Sequence, residues 1–178
     1  MYHGRPASAI FGGVDNNGLD PFAPGVDDHR FPGRAAEAYG EDVQSIEVEI
    51  TTGREAVVHD LSDAAQKFLA DCGATDGLLH VWVPHATAGL AVIETGAGSD
   101  DDLLSAIDDL LPRDDRWRHQ HGTPGHGRDH VVPGFLPPYA TLPVLDGRPA
   151  LGTWQSICLV DTNVDNPVRK VRFSYLSG

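Results

Sequence analysis

Two cysteines are all that this chain of 178 residues contains. Cys72 falls at an expected helix end and Cys158 inside an expected strand. Neither has the CxxC spacing of a zinc site, and both read as buried thiols in a reducing compartment. Long apolar runs are missing too: none approaches the roughly 18–20 residues of a membrane span. Residues 1–13 hold no apolar core of signal-peptide length, so a cytoplasmic protein is expected. Basic residues are scarce, 13 Lys and Arg against 26 Asp and Glu, for a formal charge of −13. Such a surface repels nucleic acid and anionic membrane at long range, and neither is an expected partner. There is no GxxxxGK[ST] phosphate loop, no GxGxxG after a strand and no GxSxG elbow. Nucleotide hydrolysis, dinucleotide redox chemistry and serine hydrolysis all lose support.

What remains is ordinary in bulk: 40% hydrophobic and 22% charged residues, in a length that suits one domain. The first forty residues differ from the rest. Eleven of them are Gly or Pro, and no apolar periodicity persists. Residues 1–43 are therefore expected to be an irregular or disordered extension, with Phe11, Phe22 and Phe31 as its only anchors, and residues 44–178 the domain.

Regular pattern begins at Ser45. Ile46 to Ile50 alternates apolar and acidic residues, as a strand with one wet face does. Thr51–Gly53 turns, and Glu55–Asp60 returns as a second strand. From Leu61 the period becomes helical: Leu61, Ala65, Phe68, Leu69 and Cys72 share a face, and Gly73 is placed to end the helix in a left-handed cap. Leu78–Val83 and Gly89–Glu94 read as strands three and four. Ser99 is the expected N-cap of a second helix, with Asp100, Asp101 and Asp102 complementing its dipole and Leu103, Leu104, Ile107, Leu110 and Leu111 as its apolar stripe. Strands at 140–145, 151–160 and 170–176 follow. The fold class is α+β: a mainly antiparallel seven-strand β-sandwich with two helices, in the order β-β-α-β-β-α-β-β-β.

Between the second helix and the fifth strand lies the densest chemistry of the chain. Residues 111–130 carry His119, His121, His126 and His130, four of nine histidines, together with Arg113, Arg116, Arg118 and Arg128. Neutral imidazole is a common ligand for borderline metals, and guanidinium suits phosphate or carboxylate. A metal with an anionic ligand beside it is the expectation. Each residue also has a plainer reading: His85 closing a turn after Pro84, Glu94 a wet-face charge, Arg118 and Arg128 salt-bridge residues, and Trp154 packed inside the sandwich.

Three blocks carry a resemblance. Pro84-His85-Ala86-Thr87-Ala88-Gly89 running on to Glu94, His119 followed eleven positions later by His130, and Leu151-Gly152-Thr153-Trp154-Gln155 resemble the signature of the YjbQ family, proteins often labelled secondary thiamine-phosphate synthases. The resemblance covers about residues 44–176. It implies a homotrimer with a histidine-built site for a divalent metal ion, zinc or magnesium. Carried over by position, His85, His119 and His130 are the metal ligands, and Glu94 is an acid/base group or partner of an imidazole. Gln155 is a further site residue hydrogen-bonding a ligand or the loop backbone, and Arg118 and Arg128 are candidates for a phosphorylated or anionic small molecule. The implied reaction condenses a pyrimidine pyrophosphate with a thiazole phosphate. A metal-dependent hydrolase of a small anionic ester and a non-catalytic trimer binding metal or anion are the alternatives.

Two departures stand out. The family's Asn-Glu-Asn reads Ile93-Glu94-Thr95, and Ala97 stands where an Asp is expected. His121 and His126 lie outside the family pattern, and the glycines and proline around them (Gly122, Pro124, Gly125, Gly127) predict flexible turn chemistry. On that basis they are expected to be dispensable for metal or to stand behind its direct ligands.

Overall fold

The computed structural model describes residues 43–178. The expected extension thus lies outside the described residues, apart from Val43, where the first strand starts. The strands are β1 (Val43–Thr51), β2 (Val57–Asp60), β3 (Gly77–Trp82), β4 (Ala88–Ile93), β5 (Tyr139–Leu145), β6 (Arg148–Pro149), β7 (Ser156–Asp161) and β8 (Val168–Ser177). Helix α1 (Ser62–Asp71) follows β2, and α2 (Ser99–Leu110) follows β4. Two sheets result, β1-β8-β3-β5-β6 and β2-β7-β4, and every pairing is antiparallel. The α+β sandwich expected from the sequence is present with one strand more. The addition is β6, two residues that close a hairpin across Asp146-Gly147, too short to show a period of its own.

The main core forms where the two sheets and α1 meet. Leu79, Val81, Phe173 and Val171 from the larger sheet face Leu90, Ile157 and Leu159 from the smaller, with Ala65, Phe68 and Leu69 of α1 packed in. Phe68 stacks on Phe173 with ring centroids 6.1 Å apart. Helix α1 ends as its sequence predicts: Gly73 takes φ 63°, and Ala74 N–H reaches Leu69 O at 3.0 Å. Helix α2 begins one residue earlier than expected. Gly98, at φ 98°, occupies the N-cap position, and Ser99 is the first helical residue.

Strand β7 is buried on both faces. Ile157 and Leu159 belong to the main core, while Val160 joins Ile107, Leu111 and Val132 in a second cluster on the far side of the small sheet. This explains its unbroken Ile-Cys-Leu-Val run, since a strand covered on both sides has no wet face to alternate with. The strand is shorter than the sequence suggested. Residues 151–155 turn instead, with Gln155 N–H bonded to Gly152 O at 2.9 Å, and Trp154 projects 73% exposed rather than packing in the sandwich.

The second cluster seats the histidine loop. Trp117, Val131 and Leu136 pack against it, so the loop is tied to the small sheet on both sides of its histidines. Close approach makes this docking feasible. A Cβ on Gly89 of β4 would collide with the Leu136 carbonyl, while Leu90 N–H bonds Pro137 O at 2.9 Å. Gly89→Ala is therefore expected to lower stability by about 1–3 kcal/mol through overpacking. Urea unfolding followed by circular dichroism measures it, and an unchanged midpoint contradicts this contact.

Candidate metal centre

Four imidazoles converge. The ring nitrogens of His119, His121, His126 and His130 offer ligand atoms all within 4.8 Å of one another. His126 Nε2 and His130 Nε2 stand 2.8 Å apart, and the His119 and His130 ring centroids 4.2 Å. An open cleft of about 460 Å³ runs along this loop, lined in part by Asp114, Trp117, His119, His121, Thr123 and His126.

The convergence is built from backbone turns and a buried carboxylate. After Thr123 the chain winds into short 3₁₀ turns, with His126 N–H to Thr123 O at 3.0 Å and Asp129 N–H to His126 O at 2.9 Å. That winding places His126 and His130, four residues apart, on one side. Gly127 lets the returning chain lie against the outgoing one, where a Cβ would strike the His119 carbonyl and the Trp117 side chain. Asp129, fully buried, receives Arg113, Arg128 and the Thr162 hydroxyl. The glycines thus serve close packing, contrary to the flexibility expected of them. His126, only 6% exposed, is the most enclosed of the four rings.

His126 has a carboxylate behind it. Its Nδ1 lies 2.8 Å from Asp165 Oδ2 on the loop between β7 and β8. The same oxygen accepts from Thr123 N–H and Oγ1–H, both at 3.3 Å, and Asp165 N–H donates to Asn163 Oδ1 at 2.7 Å. His119 and His130 both hold their protons more weakly than an ordinary histidine, through desolvation first and the neighbouring imidazoles second. They are therefore neutral near pH 7, the form in which imidazole binds metal.

The expected ligand His85 is placed otherwise. It sits beyond the end of β3, and its Nε2 accepts the Lys170 N–H at 2.8 Å. β3 pairs with β8 only as far as Trp82 opposite Arg172, so this ring takes over as acceptor where the neighbouring strand has left. Its Nδ1 faces Arg169, whose guanidinium is locked on Asp161 at 2.7 and 2.8 Å. Of the three ligands carried over from the family, the structure gathers His119 and His130, and adds His121 and His126.

The remaining candidates divide. Arg128 is 1% exposed, with Nε on Asp129 and Nη1 on Asp108 and the Leu111 carbonyl, so it holds the loop and is too buried to present itself to a phosphate. Arg118 is exposed beside His119. Glu94 lies exposed just past the end of β4. Gln155 is exposed, and its Oε1 accepts Gly152 N–H at 2.8 Å within its own turn. Sequence reasoning missed Asp165 and set His126 aside. The i,i+4 spacing of His126 and His130 was the available signal.

His85 supplies a test. Burial, then the Arg169 charge, holds its pKa below the ordinary 6.5. A depressed histidine pKa means that the unfolded chain binds the proton more tightly. Its contribution is therefore whole above about pH 6.5 and is lost as pH falls through the folded value. His85→Ala is expected to cost about 1–3 kcal/mol at pH 7 by stranding the Lys170 N–H. Metal uptake should stay intact, and the remaining stability should decline less steeply between pH 7 and 5. Unfolding with parallel metal analysis checks both, and loss of metal with stability unchanged would return His85 to the ligand set.

Residues 46–178 match the model of the UPF0047 protein YjbQ-like family. A UPF0047 protein of Mycobacterium bovis is 57% identical over 132 residues, which cover 74% of this chain and 99% of that protein. YugU of Bacillus subtilis is 31% identical over 111 residues, 60% of this chain and 80% of its own. Among solved structures, a hypothetical protein from Aeropyrum pernix K1 superposes with a TM-score of 0.68 at 30% identity, covering 75% of this chain and 98% of its own. A YbjQ-like protein of unknown function from Sulfolobus solfataricus P2 reaches 0.71 at 24% identity, covering 76% and 98%, a likeness of fold alone. With all of its sandwich except the first three residues of β1 inside the matched span and 57% of 132 aligned residues identical to a relative covered over 99% of its length, this chain belongs to the YjbQ-like UPF0047 family.

Proposed function

We propose that the protein is a metal-dependent enzyme acting on a phosphorylated or anionic small molecule, with a zinc-type dication among His119, His121, His126 and His130. The observation that carries the reading is the convergence of four imidazole donors, one of them backed by a carboxylate and three of them lining an open cleft. The donor set favours zinc over magnesium: imidazole suits zinc and its neighbours, whereas magnesium takes oxygen ligands. When bound, such an ion supplies Lewis-acid polarisation of a phosphate oxygen. The chain's own part is to present neutral imidazoles and to keep the loop rigid through Asp129. Exposed Arg118 beside His119 is the side chain placed to meet an anionic group.

The finer reading, from the family resemblance, is a thiamine-phosphate synthase-type condensation of a pyrimidine pyrophosphate with a thiazole phosphate. A homotrimer and a cytoplasmic location belong to the same proposal. Leu78, Trp82 and Tyr139 are exposed on the outer face of the larger sheet, apolar surface of the kind that assembly covers. No helix among the described residues is long and apolar enough to cross a membrane. A non-catalytic metal-binding protein is the second reading, and one observation favours it. Four imidazoles suffice to close a tetrahedral shell, as structural zinc sites do, whereas catalytic sites keep a position open.

Untagged protein is expected to carry about one zinc per chain by elemental analysis. His126→Ala and His130→Ala should each lose most of it, while His121→Ala, at an exposed position, should retain it. Full zinc content in His126→Ala would remove that residue from the site. Complementation of a thiamine-requiring strain tests the reaction. The condensation predicts growth with the wild type and at least roughly tenfold less activity with His130→Ala. No growth with a zinc-loaded wild type overturns the condensation and leaves the non-catalytic reading standing beside other reactions on an anionic small molecule.

A further inference from the structure

We infer that Asp165 is a positioning residue for the metal centre, fixing the tautomer and orientation of His126. The inference rests on the metal reading above. Asp165 belongs to no block of the family resemblance, and it reaches the site from the loop that follows the small sheet's central strand. Its carboxylate has acceptors only, so the 2.8 Å approach of Oδ2 to His126 Nδ1 favours the proton on that nitrogen. In the singly protonated ring the lone pair is then on Nε2, the nitrogen that stands 2.8 Å from His130 Nε2. Asn163 Nδ2, a donor, also approaches the same Nδ1, at the longer distance of 3.4 Å, and in our inference the charged acceptor at shorter range prevails.

The carboxylate is itself held. Thr123 contributes its N–H and its hydroxyl, and Asn163 Oδ1 accepts the Asp165 N–H. Asn163 in turn donates its own N–H to Asp161 Oδ1 at 3.0 Å, an oxygen that also binds the buried Arg169. The ring of His126 is therefore referenced to the sheet itself through Asp165, and not merely to the loop that carries it. Partners of this kind fix ring orientation, and their loss commonly weakens metal affinity 10–100-fold.

The test is zinc and cobalt affinity by chelator competition on the full chain, together with nitrogen NMR of the His126 ring in metal-free protein. Wild type should show His126 with its proton on Nδ1. Asp165→Ala should bind zinc about 10–100-fold more weakly, show mixed tautomers and give an altered visible spectrum with cobalt. Asp165→Asn keeps a neutral acceptor and should fall between. Thr123→Val keeps the Asp165–His126 contact while removing one brace of the loop, and should bind within about threefold of wild type. If Thr123→Val is as impaired as Asp165→Ala, or if folded Asp165→Ala matches wild type in affinity and spectrum, Asp165 only braces the loop and the inference is overturned. A wild type that takes up no metal in any arm sinks the metal reading first, a result distinct from equal binding by wild type and variant.

Discussion

The buried carboxylate of Asp129 is the constraint on which the histidine cluster depends. A side chain with no exposed surface must have its charge answered inside the protein, because an unpaired buried carboxylate costs far more than a marginally stable domain can spare. Arg113 answers it from the end of α2, Arg128 from the adjacent residue and Thr162 from the end of β7. Arg113 also donates to the Thr162 carbonyl at 2.7 Å, so one guanidinium joins the loop's start, its buried acid and the sheet. A segment rich in glycine and histidine would otherwise be a surface loop free to wander. The acid at its centre makes a docked, wound structure the lower-energy state. The imidazoles carried on either side of it are brought close as a consequence.

This arrangement explains why two arginines chosen for anion binding have unequal fates. Guanidinium is the group best suited to a desolvated carboxylate, with a planar fork and weak hydration. In a chain with twice as many acids as bases, buried acids have first claim on it. Arg128 and Arg169 are both 1% exposed and both spend their donors on aspartates. Arg118, which makes no salt bridge among the described residues, is exposed next to His119 in the chain.

Much of the fold was legible because it rests on periodicity. The alternation of Ile46–Ile50, the helical stripe from Leu61 to Cys72 and the cap at Gly73 each follow from which side of an element meets the core. Legibility failed where a tertiary partner decided the matter. Trp154 reads as a core residue by size, yet the Gly152–Gln155 turn aims it outward. His119 and His130 were recognisable by family position. His126 was set aside because glycine signals freedom when read alone, whereas Gly127 allows two chain segments to touch. Asp165 carries no local signal. It is one acid among many until the β7–β8 loop brings it to His126.

The same loop joins the two histidine features. Asp161 clamps Arg169 beside His85, Thr162 binds Asp129, Asn163 bonds the Asp161 carboxylate and the Asp165 backbone, and Asp165 reaches His126. Four of the five residues from Asp161 to Asp165, at the end of a strand buried on both faces, thus reference His85 and the cluster to the same element. His85 then needs no place in the coordination shell for its position to bear on the site. By closing the ladder where β3 leaves β8, it steadies Lys170 and Arg169 of β8, and Arg169 grips the Asp161 carboxylate that also receives the Asn163 N–H. A histidine can belong to a functional block of sequence and still act by holding the frame on which the ligands stand.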